Sequence, residues 1–203
     1  MRRVTTEDVG LAYKDLDKEQ RIHRNVESVR TRTTLIERWV EMGPKASPGL
    51  VERAQIAASF IRPGARVADI GCGAMVLEPH LPQGAHYIPI DCVRRDSRTV
   101  VVDLNREPMP SLGLDVIVGL GVLEYLDDVP GFLQQVRCEA IFTYAPLEKN
   151  PRHRRASSGW FNSYTERDMD ILFERAGFDI KQKTICPGRH LLWYLQPQHR
   201  HGG

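Results

Sequence analysis

The run Arg66-Val67-Ala68-Asp69-Ile70-Gly71-Cys72-Gly73 constrains this chain most, because an apolar strand there ends in an acid and a Gly-x-Gly turn. The turn residues Arg62-Pro63-Gly64 precede it, so the strand reads as short and buried. Glycines without a Cβ let the backbone bend tightly and approach a ligand. A second strand, His86-Tyr87-Ile88-Pro89-Ile90, ends in Asp91. It follows the glycines by about twenty residues, the spacing at which a βαβ unit brings a carboxylate to ribose hydroxyls. A dinucleotide site also needs a third glycine three residues beyond the second, but Ala74, Met75 and Val76 follow Gly73, which speaks against NAD. The chain has no Gly-x-x-x-x-Gly-Lys-Ser/Thr loop to hold a triphosphate. A cofactor with ribose and no phosphate fits these residues.

Further stretches follow in order: Val102-Asp103-Leu104-Asn105, then Leu114-Asp115-Val116-Ile117-Val118-Gly119-Leu120-Gly121-Val122-Leu123-Glu124-Tyr125. With Asp69-Ile70-Gly71-Cys72-Gly73 and Ile90-Asp91, the series resembles the class I S-adenosylmethionine-dependent methyltransferases, from roughly Gly64 to Leu195. The resemblance implies an α/β, Rossmann-like sheet with helices on both faces and a C-terminal antiparallel strand pair. It implies S-adenosyl-L-methionine as cofactor, held by Asp69, Gly71, Cys72, Gly73, Asp91, Cys92, Asp103, Leu104, Gly119 and Leu120. In that picture Asp103 accepts from the adenine amine beside Leu104, and the Gly119-Leu120-Gly121 backbone lies near the methionine part. A turn-forming role is the alternative for Asp103. Met75 stands where the family often has a last glycine, so the following helix is expected to start differently. Tyr125 stands where the family often has histidine.

With 203 residues and 41% hydrophobic content, the chain can bury one domain core. The expected division is an N-terminal helical cap over 1–62, a cofactor-binding domain over 63–197 and a flexible tail over 198–203. Apolar residues from Ile22 to Val40 predict one helix over Glu19–Glu41 ended by Gly43-Pro44, and a second is expected over Pro48–Ile61. A further helix is expected to run from Glu124 past Asp128. Met1-Arg2-Arg3 leads into polar residues, and no apolar run nears the roughly twenty residues of a membrane span, so a cytoplasmic enzyme is expected. Cys72, Cys92, Cys138 and Cys186 lie far apart without a Cys-x-x-Cys pair, which argues for reduced thiols and no metal site.

Two basic segments, Arg21 to Arg38 and Arg152 to Arg155, solvate outer faces or receive an anionic substrate. With net charge +2 and few aromatics, nucleic acid ranks below a small or glycan-like acceptor. The polar connection after Tyr144 offers Arg154, Arg155, Trp160 and Asn162 as substrate-binding residues, or else forms a surface loop anchored by Trp160. His153 is the leading titratable candidate for a base, with Glu124 and Tyr144 in reserve. Carboxylates also favour first helical turns, which gives Glu124 a structural alternative. The Gly159-Trp160-x-Asn162 segment resembles chains of surface-polysaccharide pathways, which brings in a sugar or glycan hydroxyl as acceptor. The competing reading is a non-catalytic cofactor-binding or scaffold protein.

Overall fold

The computed structural model describes residues 12–42, 45–151 and 153–198. Among these residues seven strands form one sheet: β1 (Arg66–Ile70), β2 (His86–Asp91), β3 (Val100–Val101), β4 (Val116–Leu120), β5 (Glu139–Tyr144), β6 (Phe178–Cys186) and β7 (His190–Pro197). Their order is β3-β2-β1-β4-β5-β7-β6. The first five in that order are parallel, with Ala68 beside Ile88 and Ile117, while β7 runs antiparallel to both β5 and β6. β1, β4 and β5 are buried on both faces, hence their near-continuous apolar sequences. The chain leaves β1 towards β2 on one side and reaches β4 on the other, so a crevice opens at the carboxyl ends of β1 and β4.

Helices cover both faces. On one, α3 (Pro48–Ala58) starts with Ser47 accepting from Leu50 N–H and Pro48 in the first turn. Its Ala54, Ala57 and Ala58 are small enough to lie directly on Val67, Val118, Ile141 and Leu192. On the other, α4 (Val129–Leu133) is capped by Asp128, and α5 (Glu166–Arg175) by a reciprocal Thr165–Asp168 box. Phe142 stacks on Phe173 at 6.2 Å, and Trp193 is buried beside them with its indole N–H donating to Asp170 at 2.8 Å.

Several elements depart from the sequence expectation. The single helix over Glu19–Glu41 is two, α1 (Lys18–Thr31) and α2 (Ile36–Met42). Arg32 adopts φ 53°, its N–H closes onto Ser28 and Val29 carbonyls, and the Ser28 hydroxyl donates to Thr33 O. Thr31, Thr33 and Thr34 are stiff β-branched residues whose hydroxyls compete for the backbone, which weakens the helix here. Gly43-Pro44, the expected stop, lies outside the described residues, as do Arg152 and 199–203 of the tail.

α3 ends at Ala58 rather than Ile61, because tightened turns lead towards Pro63. After β1 the chain passes through turns and a 3-10 turn at Glu78–His80 instead of an α-helix. Met75 at φ 53° breaks the helical path, and Pro79 and Pro82 remove two donors. Glu124 likewise sits in a 3-10 turn, Leu123–Tyr125, and Leu126 is extended before Asp128 opens α4.

Candidate functional site

A cavity of about 380 Å³ opens where the carboxyl ends of β1, β2 and β4 meet α2, within the range of small-ligand pockets. Its floor is the turn after β1. Gly71 has φ 64°, and a Cβ there would sit 3.0 Å from Val122 Cγ2. Asp69, Gly71, Cys72, Gly73, Asp91, Cys92, Asp103, Leu104 and Leu120 all line the cavity. Gly119 does not: it lies within β4, where a Cβ would meet Val122 and Phe142 below 3.0 Å, so its role is packing.

At the β2 end the polar groups are already paired. Asp91 is buried, and Arg95 donates to it through Nε and Nη2, each at 3.1 Å. Gly73 N–H at 2.9 Å and Val93 N–H at 3.0 Å supply two more donors. A carboxylate has about four lone-pair positions, so Asp91 is saturated. Arg95 also donates to the Trp39 carbonyl at 2.9 Å, which ties α2 to this corner. Asp69 accepts from Tyr87 at 2.7 Å, yet burial pushes its carboxyl up to about 7. Burial also raises the Cys72 and Cys92 thiols, which keeps them protonated. Asp103 accepts from the Thr34 hydroxyl at 2.7 Å, and the Asn105 amide donates to Thr34 Oγ1 and Tyr125 O.

The far end is walled by Trp39, Tyr125 and Trp160. Trp39 meets Tyr125 edge-on at 4.6 Å, and the Arg38 guanidinium lies over both rings. Burial raises the Tyr125 hydroxyl above its ordinary range, against the pull of Arg38, and the Trp160 indole N–H is buried with no hydrogen-bond partner among the described residues. Glu124 is almost fully buried; Oε1 accepts from Ala145 N–H at 2.8 Å, while Oε2 is buried with no donor among the described residues. Desolvation raises its carboxyl to about 7, against the pull of the Ala145 N–H, Arg53 and Arg155.

His190 opens β7 with Nε2 3.7 Å from Glu124 Oε1. Its Nδ1 lies 3.1 Å from Gly188 O, an atom that can only accept, so the neutral ring carries its proton there. Burial and the neighbouring Arg53 lower the imidazole to about 4, so it is neutral near pH 7.

The structure separates the other predicted residues from this cavity. His153 is exposed, stacked on Trp160 at 4.3 Å, and borders a shallow surface depression with Asn150 and Arg189. Its ring is held below the ordinary histidine range by partial burial and Arg155. Arg154 is exposed. Tyr144 is wholly buried, donating to Asn162 at 2.7 Å and accepting from Tyr164 N–H. Arg155 donates to Ala145 O at 2.6 Å, and Asn162 donates to Leu123 O and Leu126 O. These three lock the loop onto the 123–126 turn. Trp160 alone of the four loop residues lines the cavity.

Sequence reasoning missed Arg53, Arg95 and His190 and read Trp39 only as apolar packing. Arg53 had a legible signal, since it interrupts the stripe Leu50, Ala54, Ala57 on α3 at helical spacing. His190 had none, because only the β5–β7 pairing brings it to Glu124.

No protein-family model matches the chain, and no curated protein does. Solved structures do. One, from Nostoc punctiforme and assigned as an O-methyltransferase, is 15% identical with TM-score 0.64 over 90% of this chain and 70% of that one. A SAM-dependent methyltransferase from Aquifex aeolicus is 14% identical with TM-score 0.56, over 85% and 98%. A third is 1,6-didemethyltoxoflavin-N1-methyltransferase from Burkholderia thailandensis, solved with its substrate and S-adenosylhomocysteine. It is 17% identical with TM-score 0.59, over 87% and 86%. The chain thus has the fold of class I S-adenosylmethionine-dependent methyltransferases, with the terminal antiparallel pair β6–β7.

Proposed function

We propose that the protein is an S-adenosylmethionine-dependent methyltransferase acting on a small polar acceptor with a hydroxyl, a sugar hydroxyl being one such class. The observation that carries this reading is the glycine-floored cavity at the switch point of the sheet, ending in a buried acid, Glu124, with one unpartnered oxygen. The residues fit the cofactor on one condition. Gly71, Gly73 and Gly121 leave the backbone bare beside the cavity, and Asp103 and Leu104 flank it, but Asp91 accepts ribose hydroxyls only where Arg95 yields a hydrogen bond.

When bound, the cofactor supplies an electrophilic methyl on a positively charged sulfur. The chain's own task is then to orient the acceptor, exclude water and take its proton. Glu124, which lines the cavity, is the candidate to take that proton, and a carboxyl raised by burial to about 7 suits a base at neutral pH. Trp39, Tyr125 and Trp160 line the same cavity and offer apolar surface to an acceptor.

One observation favours the second reading, a non-catalytic scaffold: Arg95 fills the acid that would hold ribose. Incubation with S-adenosylmethionine and a panel of hydroxyl and amine acceptors separates the two. Acceptor-dependent release of S-adenosylhomocysteine supports the enzyme, and its absence across the panel with no cofactor binding supports the scaffold.

A further inference from the structure

Beyond β5 the cavity holds a cation and an acid whose polar atoms are only partly answered by the protein. Arg53 reaches it from α3; its Nε is buried, with no acceptor among the described residues. Burial lowers its pKa, and Glu124 supports its charge only through space. The guanidinium nonetheless stays ionised, and its planar fork matches a carboxylate. Beside it stand Glu124 Oε2, also orphaned, and His190, a neutral ring that offers no compensating charge. Among the described residues seven buried side-chain atoms lack a hydrogen-bond partner, and those of Arg53, Glu124 and Trp160 belong to residues that line the cavity, where a ligand could complete them.

Position in the sheet separates this end from the corner near Asp91. The order β2-β1-β4-β5-β7 puts four strand spacings, about 19 Å, between the ends of β2 and β7. α3 packs on the Pro187–Arg189 turn as well as on β4, β6 and the Glu78–His80 turn, and one helical turn before Arg53 a Cβ on Gly49 would lie 3.3 Å from Pro187.

We propose that this end recognises a hydroxy acid, whose carboxylate pairs with the Arg53 guanidinium while its hydroxyl donates to Glu124 Oε2. The inference rests on the methyltransferase reading, because it assigns this end to the acceptor. A carboxylate is also carried by the amino-acid part of the cofactor, and the packing of α3 on the Pro187–Arg189 turn favours the acceptor as the partner of Arg53.

The test is calorimetric titration of the full chain, first with S-adenosylhomocysteine and then, on the saturated protein, with two hydroxy acids and their amides. The probes are 4-hydroxybenzoate and glucuronate against 4-hydroxybenzamide and glucuronamide. At least one acid is expected to bind about tenfold to a hundredfold more tightly than its neutral amide, the range for a hydrogen bond to a charged group. Arg53→Met is expected to abolish that preference while binding S-adenosylhomocysteine as the wild type does, which also shows that it is folded. Arg53→Lys is expected to restore part of the preference.

Equal binding of acid and amide, or binding of none of the four, overturns the proposal while leaving cofactor binding intact. Loss of S-adenosylhomocysteine in a folded Arg53→Met also overturns it and assigns Arg53 to the cofactor. Failure of the wild type to bind S-adenosylhomocysteine is a different result, which overturns the methyltransferase reading itself.

Discussion

The two ends of the cavity treat polar groups in opposite ways. Near β2, Asp91 carries four nitrogen donors, and Asn105 uses both its amide nitrogen and its oxygen, bonding Thr34, the Tyr125 carbonyl and Asp127 N–H. Near β7, Glu124 Oε2 and Arg53 Nε are buried with no partner among the described residues. A completed network stabilises the fold and leaves a ligand little to add unless a donor moves. An incomplete one leaves polar atoms for a ligand to satisfy. The first end is therefore expected to govern stability, the second chemistry.

The largest effect expected is on methyl transfer. Glu124→Gln should lower the rate with a bound acceptor by about 100-fold to 10,000-fold, the range for losing a general base, with S-adenosylhomocysteine binding unchanged. In the wild type, transfer should rise with pH to a plateau above about 7, following ionisation of Glu124. The variant should lack that limb. An unaltered pH profile in Glu124→Gln would make Glu124 a structural acid.

Next comes stability at the β2 end. Asp91→Ala leaves Arg95 buried and unpaired, which should destabilise by about 3–5 kcal/mol in denaturant unfolding. Arg95→Ala should cost less, because Gly73 and Val93 still donate to Asp91. By freeing two acceptor positions it should also leave S-adenosylhomocysteine binding equal or tighter. Loss of binding in Arg95→Ala would show that Arg95 helps build the cofactor site rather than filling it.

Glu124 also makes stability depend on pH. Its carboxyl is near 7 when folded and near 4.5 as the ordinary value, so between those pH values the folded state holds the extra proton. Stability from this group is thus lost as pH rises from about 4.5 to 7. His190, lowered to about 4 from 6.5, acts oppositely, adding stability as pH rises through that window. Unfolding curves of Glu124→Gln across pH 4.5–7 should therefore gain stability with pH relative to the wild type. The smallest effect is expected at His153→Ala: with an exposed ring outside the cavity, transfer should stay within about twofold.

What the sequence made legible follows from how local each feature is. The glycine turn, Asp91 and the strands of β1, β4 and β5 are written in consecutive residues, so fold class and floor of the cavity were readable. The break at Arg32 depends on threonine hydroxyls competing with the backbone, a balance that apolar spacing does not report. The loop residues Arg155 and Asn162 carry the right chemistry for a substrate, yet Arg155 donates to the Ala145 carbonyl and the Tyr144 hydroxyl, Asn162 donates to the Leu123 and Leu126 carbonyls, and neither lines the cavity. Arg53 and His190 meet Glu124 only because α3 and β7 converge on the end of β5, and no local motif encodes that meeting.

The most direct test of the central claim is calorimetric titration of the wild-type protein with S-adenosylmethionine and S-adenosylhomocysteine, with NAD as control. One-to-one binding of both adenosyl ligands and none of NAD is the predicted result. No heat from either adenosyl ligand, or binding of NAD in their place, would contradict it.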